Sequence, residues 1–238
     1  MEFNISTTLN DNTINDLSNG KIDLCILSDV DKDTIKQFGE LLEQDLTGMK
    51  EITVGNDDIK FNLQKIEMGW HSDGSHLNIT PKFGGLYGVE IGEGSSPTYF
   101  CNMKSVWKNL SVSLKEKIKN ESEVTFSVQN YYDKAVWPFL NFDSEKQEET
   151  YLRFAKAKKS LYHNDEFGEY LFYSPFYSPV EYLDNDIFQE KYIHTHHWKD
   201  RDLVLWNNYT TSHKRDDTSP DITRRLVRYA IDTQKHDT

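Results

Sequence analysis

The sequence predicts a mainly β protein, a sandwich or barrel with a few flanking helices. About nine short strand patterns can be read along the chain, and only two segments carry a helical period. Consecutive strand patterns are not joined by regular helices, which opposes a doubly wound parallel sheet and favours antiparallel layers.

The elements follow in order. Residues 24–27 (Leu-Cys-Ile-Leu) form a continuous apolar run bounded by Ser28 and Asp29, the pattern of a buried strand. Asp33 then caps a helix whose Ile35, Phe38, Leu41 and Leu42 share one face, and Gly48 ends it. From 60 to 68, Phe61 and Leu63 alternate with polar residues, and 86–91 and 98–101 are two further strands. Val106, Leu110, Leu114 and Ile118 recur every four residues and predict one helix over 105–119. Strand patterns resume at 124–128, 170–173, 192–198, 203–206 and 226–231. The polar, weakly periodic stretch 141–159 predicts an excursion over the surface near 130–160, either a lid or a solvated helix.

Composition narrows the function. The 238 residues carry no repeat and no Pro/Gly/Ser linker, so a single domain over 1–238 is expected, large enough to fold without staples. With 39 acidic against 27 basic side chains, the net charge of −12 opposes a sequence-independent nucleic-acid binder and docking to an anionic membrane. Cys25 and Cys101 are too few for a disulfide framework and read as small buried hydrophobes in a reducing compartment. The first residues show no secretory pattern, and no apolar run approaches the ~20 residues of a membrane span. The expectation is a cytoplasmic protein whose partner is a small molecule, neither nucleic acid nor membrane, with a homo-oligomer left open.

The chemistry concentrates in two segments. In Gly69-Trp70-His71-Ser72-Asp73-Gly74, residues i and i+2 at a strand end point to one side, so His71 and Asp73 can offer a nitrogen and an oxygen to one ion. Far downstream, a buried-type strand and a polar turn lead to His213. Arg224 follows eleven residues later and Arg228 four beyond that, sharing a strand face with Leu226. Only six arginines stand against 21 lysines, and four of the six fall between Arg215 and Arg228. Arginine placed so selectively indicates planar, bidentate carboxylate recognition. His194 and His196 also share a face and could chelate zinc, but no third ligand stands near them in sequence.

His71-x-Asp73, the distant His213, and Arg224 with Arg228 resemble the TauD/TfdA (taurine dioxygenase-like) group of Fe(II)- and 2-oxoglutarate-dependent oxygenases. Thr98 stands 27 residues after His71, and the run Asp202-Leu203-Val204-Leu205-Trp206-Asn207-Asn208 resembles the family's segment before its distal histidine. The likeness covers about 63–110 and 170–232. It implies a double-stranded β-helix (jelly roll, cupin-like), with His71, Asp73 and His213 on one face of an octahedral iron. It further implies 2-oxoglutarate chelating the iron, its far carboxylate on Arg224 and Thr98, and a position left for O2. Arg228 is open between the cosubstrate, an anionic group of the substrate and an acid at the core edge. The alternative from another class is a non-catalytic or zinc-holding cupin-like binding protein.

The substrate side rests on fewer residues. If the strand before His71 is regular, Glu67, Gly69 and His71 face one way. Glu67 would then hold a substrate ammonium while Arg228 holds an anionic group, which favours an amino-acid-like or anionic molecule. The plain alternative is an exposed Glu67, or one paired with Lys65 or Lys82. Phe176 and Tyr177 are candidates to line the substrate pocket, or are core aromatics.

Overall fold

Leu203–Asn207 is buried at every residue, and its alternate side chains enter two different apolar clusters. That single strand shows how the protein is layered. The computed structural model describes residues 3–8, 10–31, 33–34, 52–54, 67–121, 123–128, 145–146, 149, 155–183, 187–219 and 221–231. The expected helix after Asp33, the strand pattern at 60–66 and most of the 130–160 excursion lie outside the described residues.

In chain order the strands are β1 (Ile5–Ser6), β2 (Leu24–Leu27), β3 (Ile52–Val54), β4 (Met68–His71), β5 (Phe83–Ile91), β6 (Thr98–Asn102) and β7 (Val124–Ser127). They continue as β8 (Lys156–Lys159), β9 (Tyr162–Asp165), β10 (Gly168–Leu171), β11 (Ile193–His196), β12 (Leu203–Asn207), β13 (Thr211–Arg215) and β14 (Arg224–Ile231). The helices are α1 (Asp11–Ser18), α2 (Met103–Asn109) and α3 (Val112–Asn120). A six-stranded sheet runs β1-β2-β12-β5-β14-β3 and a four-stranded sheet β11-β6-β13-β4; β7 pairs with β8, and β9 with β10. Every pairing is antiparallel except β1 with β2.

On the six-stranded sheet, Leu203, Leu205, Cys25, Leu27, Val227 and Tyr229 join Leu17 of α1 on the outer face. Val204, Trp206, Leu24, Leu86 and Leu226 join Phe100 of β6 between the sheets. Both faces are covered, so these strands read as continuous apolar runs. By the same alternation, Arg224 and Arg228 lie on the face of Leu226, toward the four-stranded sheet. A further cluster gathers Trp107, Phe126, Leu171, Phe172 and Tyr173 where α2 packs on β10.

Two expectations need correction. The helix predicted over 105–119 is two helices. Leu110 turns extended (φ −63°, ψ 148°), and the Ser111 side chain caps the second helix by accepting from the Leu114 amide at 3.2 Å. The four-residue apolar spacing runs across that break unchanged. At the end of the predicted excursion, residues 156–159 form strand β8, held on β7 with Ala157 buried opposite Phe126.

Candidate active site

β4 and β13 are neighbours, and His71 stands directly opposite His213 in their register, ring centroids 4.2 Å apart. Asp73 sits in the turn just beyond β4. Its Oδ1 lies 3.6 Å from His71 Nε2 and 3.8 Å from His213 Nε2. The three residues are buried, and among the described residues they are the one group of His, Cys, Asp or Glu that could hold a metal ion. His71 Nδ1 lies 2.7 Å from the Gly69 carbonyl; donation there assigns the proton to Nδ1 and leaves the Nε2 lone pair for a metal. Burial, with the charge of His71 behind it, pushes the His213 imidazole down to about 3, so the ring is neutral at pH 7. Burial by itself would raise the Asp73 carboxyl, but Arg228 and then the histidines outweigh it and hold the group well below the usual carboxylate range.

The turn carrying Asp73 is fixed by residues far away in sequence. The Asp73 amide donates to Asn208 Oδ1, and Asn208 Nδ2 donates back to the carbonyls of Asp73 and Pro81, each at 2.9 Å. The Ser72 amide donates to Ser174 Oγ at 2.9 Å. Gly74 has φ +64°, and a Cβ there would meet Pro81 Cδ at 2.8 Å, so only glycine makes this turn without strain. Asn208 belongs to the quoted run before His213, but its spacing gave no hint of its task. Ser174 carried no sequence signal at all.

Arg224 is 1% exposed. It donates from Nε to the Ser96 carbonyl at 3.1 Å and from Nη2 to Thr98 Oγ1 at 3.2 Å. Thr98 Oγ1 also accepts from Trp198 Nε1 at 2.9 Å. Arg215 stands opposite Thr98 in the β13–β6 register and shares the inward face of His213. Burial, then the neighbouring charge of Arg215, pushes Arg224 down to about 9. A cavity of about 100 Å³ brings together His71, Asp73, His213, Thr98 and the three arginines 215, 224 and 228. Sequence reasoning counted Arg215 in the arginine cluster without giving it a role. Arg228 pairs with Asp73: Nε reaches Oδ2 at 3.0 Å and Nη2 reaches Oδ1 at 2.9 Å. Arg225, on the opposite face, pairs with Glu90 at 3.4 Å.

A bulge breaks the regular alternation on which the clamp role of Glu67 depends. His213 pairs with His71 and Arg215 with Met68, so β4 spends three residues where β13 spends two. The extra residue switches the alternation, and Met68 lines the cavity with His71. Glu67 is exposed ahead of the strand. Phe176 and Tyr177 do lie beside the site, with ring centroids 5.6 and 6.2 Å from that of His71. His196 is buried against Asp202, Nε2 to Oδ2 at 3.2 Å, and His194 packs edge-on to Phe3. They belong to no ligand cluster among the described residues.

None of the curated proteins compared matches the chain. The family model described as "Taurine catabolism dioxygenase TauD, TfdA family" matches residues 25–230. The chain belongs to the TauD, TfdA family. The fold agrees with that of solved structures at low identity. A crystal structure of AAD-2 in complex with Mn(II) and N-oxalylglycine shares 17% identity at a TM-score of 0.72, covering 94% of this chain and 88% of that one. A taurine dioxygenase from Burkholderia xenovorans shares 14% at 0.68, covering 95% and 82%. The fold of this TauD/TfdA member is thus the double-stranded β-helix expected from the resemblance.

The protein is accordingly a 2-oxoglutarate-dependent non-haem iron dioxygenase. Its residues fit both groups. Two imidazoles and one ionised carboxylate on one side of a buried space are the donor set of an Fe(II) facial triad. A buried guanidinium beside a hydroxyl in the same cavity suits a dicarboxylate. No described helix is long and apolar enough to cross a membrane.

Proposed function

We propose that this dioxygenase oxidises, by default hydroxylates, a small anionic molecule while 2-oxoglutarate is decarboxylated to succinate. His71, Asp73 and His213 hold the iron, and Arg224 with Thr98 takes the far carboxylate of 2-oxoglutarate. The observation that carries this reading is the meeting of the buried triad and the Arg224–Thr98 pair in one cavity. Iron and 2-oxoglutarate, when bound, supply the O2-dependent oxidation of a C–H bond.

The chain's own residues do the rest. His71 keeps its proton on Nδ1, toward the Gly69 carbonyl, so Nε2 stays a donor. Arg228 keeps Asp73 ionised and orients its carboxylate through both oxygens. Arg224 arrives with Ser96 and Thr98 already fixing its plane, so a carboxylate meets a preset fork. Phe176 and Tyr177 wall the space beside His71 and exclude water. With Glu67 exposed, no ammonium clamp supports an amino acid, and the cationic interior favours the anionic substrate. We place the enzyme in the cytoplasm, as a single domain, in keeping with its two buried free cysteines.

The test is spectroscopic. Anaerobic protein with Fe(II) and 2-oxoglutarate should develop a weak visible charge-transfer band, which His71→Ala and His213→Ala should each abolish. Tight zinc without any cosubstrate binding would instead make this a binding protein and overturn the proposal.

A further inference from the structure

A half-buried lysine and a buried histidine near the site have no part in holding iron or 2-oxoglutarate. Lys159 closes β8, and its amine turns inward to donate to Thr80 Oγ1, 5.5 Å from the centre of the Phe172 ring. A lysine at a strand end can ordinarily bury its stem and leave its amine in water; this one does not. Burial pushes its ammonium down to about 8, and among the described residues no carboxylate comes within ion-pair distance of it. His76, five residues beyond His71, is 9% exposed, and its Nδ1 is buried with no hydrogen-bond partner. Its ring lies 4.6 Å from that of Tyr177, one of the two aromatics beside His71.

The charges around His76 are unbalanced. Among the described residues it feels Lys159, Arg228 and His71 on the cationic side and Asp73 on the anionic side. Asp73 already has both its oxygens on Arg228. A partly desolvated ammonium that meets no acid among the described residues is costly, and the same surroundings strengthen its attraction for an arriving anion.

We propose that Lys159, with Thr80 and His76, forms a subsite for an oxyanion group of the substrate, beside the iron-binding triad and apart from the cosubstrate's carboxylate. None of the three lines the cavity that Arg224 shares with Thr98, so the anion taken here is not the far end of 2-oxoglutarate. Lysine offers a compact charge with rotatable donors, the threonine hydroxyl can redirect to an oxygen, and a neutral histidine adds an N–H. That set recognises the oxygens of a carboxylate, sulfonate or phosphonate without requiring a planar fork. The inference rests on the reading that the triad and Arg224 hold metal and cosubstrate, and gives that reading its substrate class.

The test uses the full chain loaded with Mn(II) and N-oxalylglycine and titrates in butyrate, 1-propanesulfonate and 1-propylphosphonate, with butyramide as the neutral control. Calorimetry should show that at least one anion binds and butyramide does not; the tightest arm names the oxyanion. Lys159→Met should weaken that anion by tenfold or more, the usual cost of one charge-assisted hydrogen bond. Lys159→Arg should retain most of the affinity, and His76→Phe, which keeps a ring against Tyr177, should lose several-fold. All three variants should keep the wild-type affinity for N-oxalylglycine, which shows them folded. Equal anion binding by wild type and Lys159→Met overturns the subsite, as does a loaded wild type that binds none of the anions. A wild type that fails to take up Mn(II) and N-oxalylglycine overturns the subsite together with the function proposed above.

Discussion

Arg228 grips Asp73 with two nitrogens, Nε on one carboxylate oxygen and Nη2 on the other, across the gap between the two sheets. Both side chains lie in the cavity, so the pair is a charge-assisted fork that orients the one carboxylate among the proposed ligands. Arg228→Gln should therefore weaken Co(II) or Fe(II) binding about 10- to 100-fold, the usual effect of losing a group that orients a metal ligand. Metal titration reads this directly. An unchanged affinity would mean that Asp73 needs no help.

Arg224 predicts a different signature. Arg224→Lys keeps a charge but loses the preset fork on Ser96 and Thr98. The KM for 2-oxoglutarate should rise about 10- to 100-fold, one charge-assisted hydrogen bond's worth, while metal affinity stays put. Steady-state kinetics against 2-oxoglutarate, beside a metal titration, separates the two.

Asn208 tests the turn itself. Asn208→Ala removes three hydrogen bonds, the two to Asp73 buried and the one to Pro81 partly so. Leaving the Asp73 amide unpaired should cost about 1–3 kcal/mol of stability and loosen metal binding as well. Asn208→Asp keeps the acceptor but loses the Nδ2 donor, and should recover part of the stability. Denaturant melts with and without metal measure both effects.

Stability should fall with acid in a defined window. Burial first, then nearby cations, holds His76 down at about 4 and His213 at about 3, and burial outweighs the pull of Asp202 to hold His196 at about 4, against 6.5 when unfolded. Between 6.5 and about 4 the unfolded chain binds more protons than the folded one, so stability rises with pH there and is lost as pH falls. Unfolding of the metal-free protein near pH 5 should take up about one proton for each of these three histidines, with His163 and His194, also lowered by burial, adding to the uptake, and His76→Phe should take up one fewer. A melting temperature flat from pH 7 to 4.5 would contradict this.

The parts of the site legible in the sequence are those whose chemistry needs a fixed spacing. His71 and Asp73 flank one strand end, and the clustered arginines stand out in a lysine-rich chain. What stayed hidden has local causes. β13 reads Thr-Ser-His-Lys-Arg, and its inward positions carry polar site groups instead of apolar ones, so the alternation that marks a strand is absent. The start of β5 is masked by Gly84 and Gly85, poor strand formers; a methyl at Gly84 would overlap the Trp206 indole packed on it. α1 is mostly polar and declares itself only through Asn10, whose side chain accepts from the Thr13 amide at 3.0 Å. The bulge before His71 stayed hidden because a single unpaired residue leaves no mark in composition or period.

The division of the site between sheets has a mechanical consequence. His71, His213 and Thr98 ride on the four-stranded sheet, whereas Arg224 and Arg228 ride on the six-stranded one. A metal ion bound by the triad would tie β4 to β13 within a single layer. A keto acid reaching from that metal to Arg224 would act as a cross-brace between layers, resisting their separation at this end of the sandwich. Hydrogen exchange should reveal the difference: Mn(II) alone slowing amides in β4 and β13, and N-oxalylglycine added afterwards extending the protection to β14.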